Sequence, residues 1–453
     1  KLAADGDGGL AIAMIDLADL DVDDGQLDEA VALYDRALVK AKDHPLAVLG
    51  KSLARAEASV QTTDAIEDLN VKLEKNFGPR VTAYRNLALA VAYTSIEDYA
   101  RSLEALRKAT GNPKATPIEA RFLARVAWAH LQRGALADAA TFRKPIAWYG
   151  KGKAEDDPVV SLFDAGLALA AGVPSKALDK SSKLKGVRAS IVRAYADIDL
   201  GKAKDAVTEM DEVLQKAPEN LEAQILHAWG RVIAANDAKN DKDKAAAFDA
   251  LEKLARKAKT KLGRHALGMA YYQTGDFKNA QPQLEQALAE VSDEEPNPFA
   301  YRTRTALADI LLANNDSAGA KKLLDQALDV QTGNAGYFPA RATQAKVLMK
   351  DGDGDKALEM LAPLTKEDGA MTPASELTLA EGLCNHKTPA VTAKDKADAE
   401  QILTDIKDKV QPPGEVGRVA ATCDPKLPEK LGVPVVDGKE APKAPTSSHR
   451  HHH

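Results

Sequence analysis

The chain has 453 residues, more than one compact core normally holds, so it is several domains or an extended array. Aromatic residues make up only 5%, runs of alternating Val, Ile and Thr are missing, and Ala, Leu, Lys, Glu and Asp dominate, which excludes a β-rich fold and points to all-α packing through small residues. The net charge of −6 is spread without a basic stripe, which argues against nucleic acid as partner, and no run of 18 apolar residues offers a membrane span.

The elements follow one pattern. A flexible N-terminus is expected over 1–8 and a helical array over 9–410. In the clearest segment, Lys261 to Glu290, Leu267, Gly268, Tyr271 and Tyr272 mark an apolar helix face. Thr274, Gly275 and Asp276 then make a turn, and Phe277, Ala280, Leu284, Ala287 and Leu288 resume the stripe. Two such stripes cannot be buried within a single hairpin, so the hairpin needs neighbours.

A turn Gly followed five residues later by Ala recurs at Gly25 and Ala30, Gly134 and Ala139, Gly172 and Ala177, Gly201 and Ala206, Gly275 and Ala280, and Gly352 and Ala357. Asn315 with Ala320 keeps the rule, since Asn tolerates the left-handed conformation, and Ser95 with Ala100 fits as a weaker copy. Further hairpins are expected over Pro45 to Asn76 and over Asn220 to Lys257. Pro145 to Pro158 reads as a loop or insertion, and Lys366 to Pro373 and His386 to Lys396 as connectors. A Pro- and Gly-rich segment, 411–436, is read as outside the helical repeat and is expected to lie on the last hairpin. A disordered tail should follow over 437–453, where SSHRHHH is set aside as a tag.

These positions resemble the tetratricopeptide repeat family. The match runs through Leu267-Gly268, Tyr271, Gly275, Ala280, Leu284 and Ala287, through Leu307-Ala308, Leu311, Ala320, Leu324 and Ala327, and through Gly25, Ala30, Tyr34 and Ala37. Gly201, Ala206, Met210 and Pro218 form another copy. The family's first-helix Trp is absent and several repeats are stretched. The resemblance implies a right-handed α-α superhelix of about ten hairpins, acting as a non-enzymatic scaffold whose first helices line a groove for a peptide or protein partner. Carried over residue by residue, its ligand-facing positions are Arg85 and Leu89; Arg121, Trp128 and Leu131; Leu162; Arg188, Ile191 and Tyr195; His265, Met269 and Tyr272; and Arg302 and Asp309. Arginines and aromatics are common peptide anchors, and the four arginines would suit an acidic segment or a C-terminal carboxylate.

Other chemistry is thin. No HExxH, GxxxxGK[ST] or GxSxG motif occurs, and His44, His130, His227, His265 and His386 are widely spaced, so neither catalysis nor a cofactor is expected. Asp351, Asp353 and Asp355 imitate a calcium loop, but the twelfth position is Ala362 and the stretch is read as a turn; no metal site is expected. Cys384 and Cys423 allow two readings, a disulfide holding the C-terminal segment to the last hairpin or two unrelated thiols. The disulfide reading, with Lys1 in place of Met leaving room for a leader, anchor or further domain, leans toward a bacterial periplasm or another extracytoplasmic site. Two other roles stay open: a structural subunit of an envelope or motor assembly that uses its convex face and ends, and the regulatory arm of a separate catalytic domain.

Overall fold

The computed structural model describes residues 7–111, 119–153, 156–258, 261–289, 297–329, 336–410 and 412–435. Within them the chain is helical throughout, with no strand. The first hairpins pair α1 (Asp7–Asp23) with α2 (Leu27–Lys40), α3 (Pro45–Ala58) with α4 (Thr62–Val71), and α5 (Pro79–Ser95) with α6 (Tyr99–Thr110). Next, α7 (Ala120–Gln132) pairs with the short α8 (Leu136–Ala140), and α9 (Arg143–Tyr149) stands outside the pairing. The array continues with α10 (Pro158–Ala170) and α11 (Pro174–Ser181), α12 (Val187–Asp199) and α13 (Ala203–Lys216), and α14 (Leu221–Asp237) and α15 (Asp241–Ala258). It closes with α16 (Lys261–Gln273) and α17 (Phe277–Ala289), α18 (Ala300–Ala313) and α19 (Ser317–Leu328), α20 (Phe338–Lys350) and α21 (Gly354–Thr365), and α22 (Pro373–Asn385) and α23 (Ala393–Ile406).

Local chemistry fixes the helix ends. Pro45, Pro79, Pro158, Pro174 and Pro373 occupy the first turn, where the N–H that proline lacks would have no helical partner. Asp98, Asp157, Asn220, Asp316 and Asp353 cap other helices by accepting backbone N–H bonds.

The six turn glycines all have φ between 73° and 83°, and the six alanines five residues on are all fully buried. The left-handed turn aims the second helix back along the first, and only a methyl group fits where the two cross. Asn315 (φ 61°) and Ala320 do the same.

Two expectations are corrected. The turn between α5 and α6 has its positive φ at Glu97, not Ser95. Ala100 is therefore exposed, and Ser102 fills the buried position, hydrogen-bonded to Ala90 and Thr94. The Pro145 stretch is helical over α9, because Pro145 lies in its first turn, where a missing N–H costs nothing. The segment over 412–435 packs on the last hairpin and is largely helical: α24 (Pro413–Cys423) and α25 (Leu427–Leu431) bury Val416, Val419, Ala420, Leu427 and Leu431 against α22 and α23. α1 starts at Asp7, inside the stretch expected to be flexible, while the tail from 437 and its tag lie outside the described residues.

The superhelix is tight. The turn of each of the first five hairpins meets the entry to the first helix of the hairpin five places on. Gly25 touches Lys185 and Gly186, and Asn220 Nδ2 donates to the Ala58 carbonyl (3.4 Å). The Lys261 N–H donates to Glu97 (3.1 Å), Gly134 lies on Asn297 and Pro298, and the Phe338 N–H donates to the Ala171 carbonyl (3.0 Å). One superhelical turn is thus five hairpins long, and successive turns touch.

Candidate functional site

With the turns in contact, the concave side of the array forms a bore that stays partly open to solvent. Its main chamber, of about 560 Å³, is lined from eight consecutive hairpins, α3/α4 through α18/α19. Seven of the carried-over residues meet there: Trp128, Leu131, Arg188, Ile191, Tyr195, His265 and Arg302. Trp128 packs over Gly166, where any Cβ would overlap the indole. With its amide oxygen turned toward them, Gln132 accepts from Trp128 Nε1 (3.2 Å) and Arg188 Nη1 (3.1 Å).

The arginines are already paired within the chain. Arg188 donates to Glu222 and to Ser59 Oγ, both at 3.2 Å. Arg302 donates to Asp199 (3.2 Å) and the Leu169 carbonyl (2.6 Å) and lies over the Tyr337 ring. Burial opposes the Arg302 charge, but Asp199 overcomes this and keeps it protonated. Arg121 bridges Asp23 and Asp157, with Arg125 beside it reaching Asp23 (2.8 Å) and Glu57 (3.3 Å), so that α7 is tied to α1 and α3. Arg85 is spent on the Leu69 carbonyl (2.7 Å) and Asn70 (3.3 Å).

His265 is buried: its Nδ1 contacts Thr303 Oγ1 (2.8 Å) and its ring stacks on Phe299. Burial, with help from the Arg302 charge, lowers its pKa to about 3, so at neutral pH it brings no charge to the chamber. Tyr195 sets its ring edge-to-face on Trp229, and its buried hydroxyl has no hydrogen-bond partner.

The other carried-over residues are not part of this chamber. Leu89 is buried in the core, Met269 packs between hairpins, and Leu162 lines a separate space of about 210 Å³ beside Arg125. Tyr272 donates to Asp309 (2.8 Å), whose other oxygen accepts from Thr343 (3.2 Å), so this pair is a link between hairpins.

Sequence reasoning missed Glu97, Glu222 and Phe299, all on the chamber wall. Glu222 occupies the second position of α14, the same helical position that marked Arg121 and Arg188, and could have been found once that helix was given a start. Glu97 stands where the other turns have Gly, a departure visible in the sequence. Burial raises the Glu97 pKa, the Lys261 backbone N–H, the Lys261 charge and the Leu262 backbone N–H pull it back, and the nearby Glu222 charge adds to the rise.

The repeat family's model, described as "Tetratricopeptide repeat", matches residues 15–71, 87–151 and 265–335. Those three stretches carry tetratricopeptide repeats. Among solved structures, this repeat chain is similar to yeast Tom70 at 15% identity, covering 93% of this chain and 92% of that one, with a TM-score of 0.33. It is also similar to a chain of the APC/C hetero-tetramer Cut9-Hcn1 at 12% identity, covering 91% and 90%, with a TM-score of 0.39. No curated protein matches. Tetratricopeptide arrays are protein-interaction scaffolds, and among the described residues no helix is long and apolar enough to cross a membrane.

The remaining motifs have structural uses. Asp353 caps α21, while Asp355 accepts from the Lys387 and Thr388 N–H groups. Cys384 on α22 and Cys423 at the end of α24 are joined through their sulfurs.

Proposed function

We propose that this repeat chain is a non-enzymatic scaffold that takes a segment of a partner protein into its axial chamber. The observation that carries this reading is the convergence of Trp128, Leu131, Arg188, Ile191, Tyr195, His265 and Arg302, drawn from four different hairpins, on one space of about 560 Å³. Such a space admits a few side chains and not a whole helix, so recognition is of a short extended segment. The reading is tested by capturing the partner from native cells with the wild-type chain, then comparing Trp128→Ala and the chamber-filling Ile191→Trp at equal fold content. Loss of the partner with both variants supports the chamber, and undiminished capture by both overturns it.

A second reading, docking through outer surfaces into a larger assembly, is favoured by Trp148. That residue stands 79% exposed on α9, whose Ile146 is buried on the opposite side. Cross-links from the native complex that map to α9 and spare the chamber would favour this reading. The Cys384–Cys423 bond supports an oxidising, extracytoplasmic compartment, and recovery of reduced thiols from native cells would remove that support.

A further inference from the structure

The first helix of the array is apolar on two sides. Ala11, Ile15, Ala18 and Val22 are buried in the core of the first hairpins. On the opposite side Leu10, Leu17 and Leu20 are 44%, 50% and 56% exposed, with Ala13 open between them. Their spacing of three, four and three makes one stripe along α1. In later hairpins the first helix is packed by the second helix of the hairpin before it, as α3 is by α2 and α14 by α13. The α1 stripe has no such cover among the described residues, and a contiguous apolar stripe of this kind marks a docking surface.

Carboxylates frame the stripe. Asp16 lies one helical turn before Leu20 and Asp24 one turn after it; both are exposed, and neither has an ion pair among the described residues. No Lys or Arg occurs on α1. Two such stripes laid on each other would set acid against acid, so the face does not suit a copy of itself.

A surface of the opposite sign lies on α13, α14 and α15, where a hollow of about 370 Å³ opens to solvent. Leu214 and Leu254 make it apolar, with the buried Ala228 at its floor. Among the described residues its wall carries Arg231, Lys253 and Lys257 and no carboxylate. Lys253 is already paired with Asp249 (2.6 Å), and His227 beside it with Asp211 (2.9 Å). Arg231 and Lys257 are exposed and have neither ion pair nor hydrogen bond among the described residues. Arg231 is seven residues past Gln224 on α14 and Lys257 seven past Ala250 on the antiparallel α15, about 10 Å of helix each, so these cations stand at opposite ends of the hollow. Asp16 and Asp24 are eight residues apart, about 12 Å, with Leu17 and Leu20 between them. The two patterns agree in length and are opposite in charge.

We infer that the chain associates with itself, α1 of one copy lying in the α13–α15 hollow of another. Leu17 and Leu20 then meet Leu214 and Leu254, and Asp16 and Asp24 face the cations at its two ends. The contact joins two different surfaces, so it is either doubled in a two-fold pair or continued from copy to copy. It is independent of the chamber, whose wall includes neither surface.

Sedimentation of the full chain from about 1 to about 200 μM in low salt tests this. The average mass should rise above the 48.3 kDa of one copy, with a dissociation constant on the order of tens of micromolar, and the association should weaken as salt rises. Asp16→Lys with Asp24→Lys, and separately Arg231→Glu with Lys257→Glu, should each weaken it about tenfold. Mixing the two reversed variants should restore it, since each offers the charge that the other now lacks. Leu17→Ser should weaken it several-fold. Circular dichroism identifies any variant that has lost its fold, in which case the single reversals Asp16→Lys and Lys257→Glu take its place. A single 48.3 kDa species over the whole range overturns the inference. So does association that both reversals leave unchanged, or that mixing fails to restore.

Discussion

Gly25 and Gly186 lie backbone against backbone, so close that a Cβ on Gly186 would fall 2.2 Å from the Gly25 carbonyl oxygen. The contact joins the first superhelical turn to the second. Gly352 makes the same kind of hairpin turn, with φ 79°, but nothing lies within 4 Å of where its Cβ would be. The two sites therefore separate the cost of a left-handed alanine from the cost of prising two turns apart.

Gly352→Ala should lose about 1 kcal/mol, the strain of an L-residue in that conformation. Gly25→Ala should lose about 3 kcal/mol, since its new methyl also meets the Lys185 carbonyl. Denaturant midpoints of the two variants check this, and equal losses would mean that the turn-to-turn contact contributes nothing.

Arg125 holds Asp23 and Glu57 together where all three are largely buried. Arg125→Met should cost roughly 3 kcal/mol, because Glu57 then stays buried without a cation while Asp23 keeps only Arg121. Adding Glu57→Gln should return about 1 kcal/mol of that loss. A double-mutant cycle in chemical unfolding measures the coupling, and strict additivity would refute it.

Much of the fold was legible because its signals are local. A Gly whose φ must be positive and an Ala that must be small are five residues apart, within one turn and one helix, and six pairs announced themselves. The α5/α6 turn was misread because Glu97 takes the left-handed conformation without being Gly or Asn. The superhelical pitch was not legible at all. Its contacts, such as Gly25 with Gly186 or Ala171 with Phe338, join residues 161 to 167 positions apart, far beyond any single repeat. The chamber was half legible for the same reason. Helical position indicated which side chains point inward, as for Trp128 and Tyr195, but the carboxylates that meet Arg188 and Arg302 come from other hairpins.

His265 predicts a pH effect. The unfolded chain takes up a proton as pH falls through about 6.5, and the folded chain cannot do so until about 3, so this residue's contribution to stability declines below pH 6.5. At pH 5 the loss is about 2 kcal/mol. Asp197, raised to about 6 chiefly by burial, acts in the opposite direction but is common to both proteins in the comparison. The stability gap between wild type and His265→Gln should therefore narrow by about 2 kcal/mol from pH 7.5 to pH 5. A gap that does not change with pH would show that His265 titrates normally.

The Cys384–Cys423 bond closes a loop whose ends are 39 positions apart, and by restricting the unfolded chain it should contribute roughly 3 to 4 kcal/mol to the C-terminal end. Hydrogen exchange of the Cys384→Ser, Cys423→Ser double variant should show lost protection over α22 to α25, with α1 to α6 unchanged. Uniform loss along the chain would instead mean that the end is not a separate unit.

An open row of repeats can fray one unit at a time, each unit depending only on the one before and the one after. Here each of the first five hairpins is also fastened to the hairpin five places on, as the coils of a closed spring are soldered to one another. The connectivity is that of a tube wall. Such a body resists stretching along its axis, melts over a narrower interval than its length suggests, and folds more slowly, since distant segments must find each other before successive coils can join. A lesion in one hairpin should therefore be felt a full coil away.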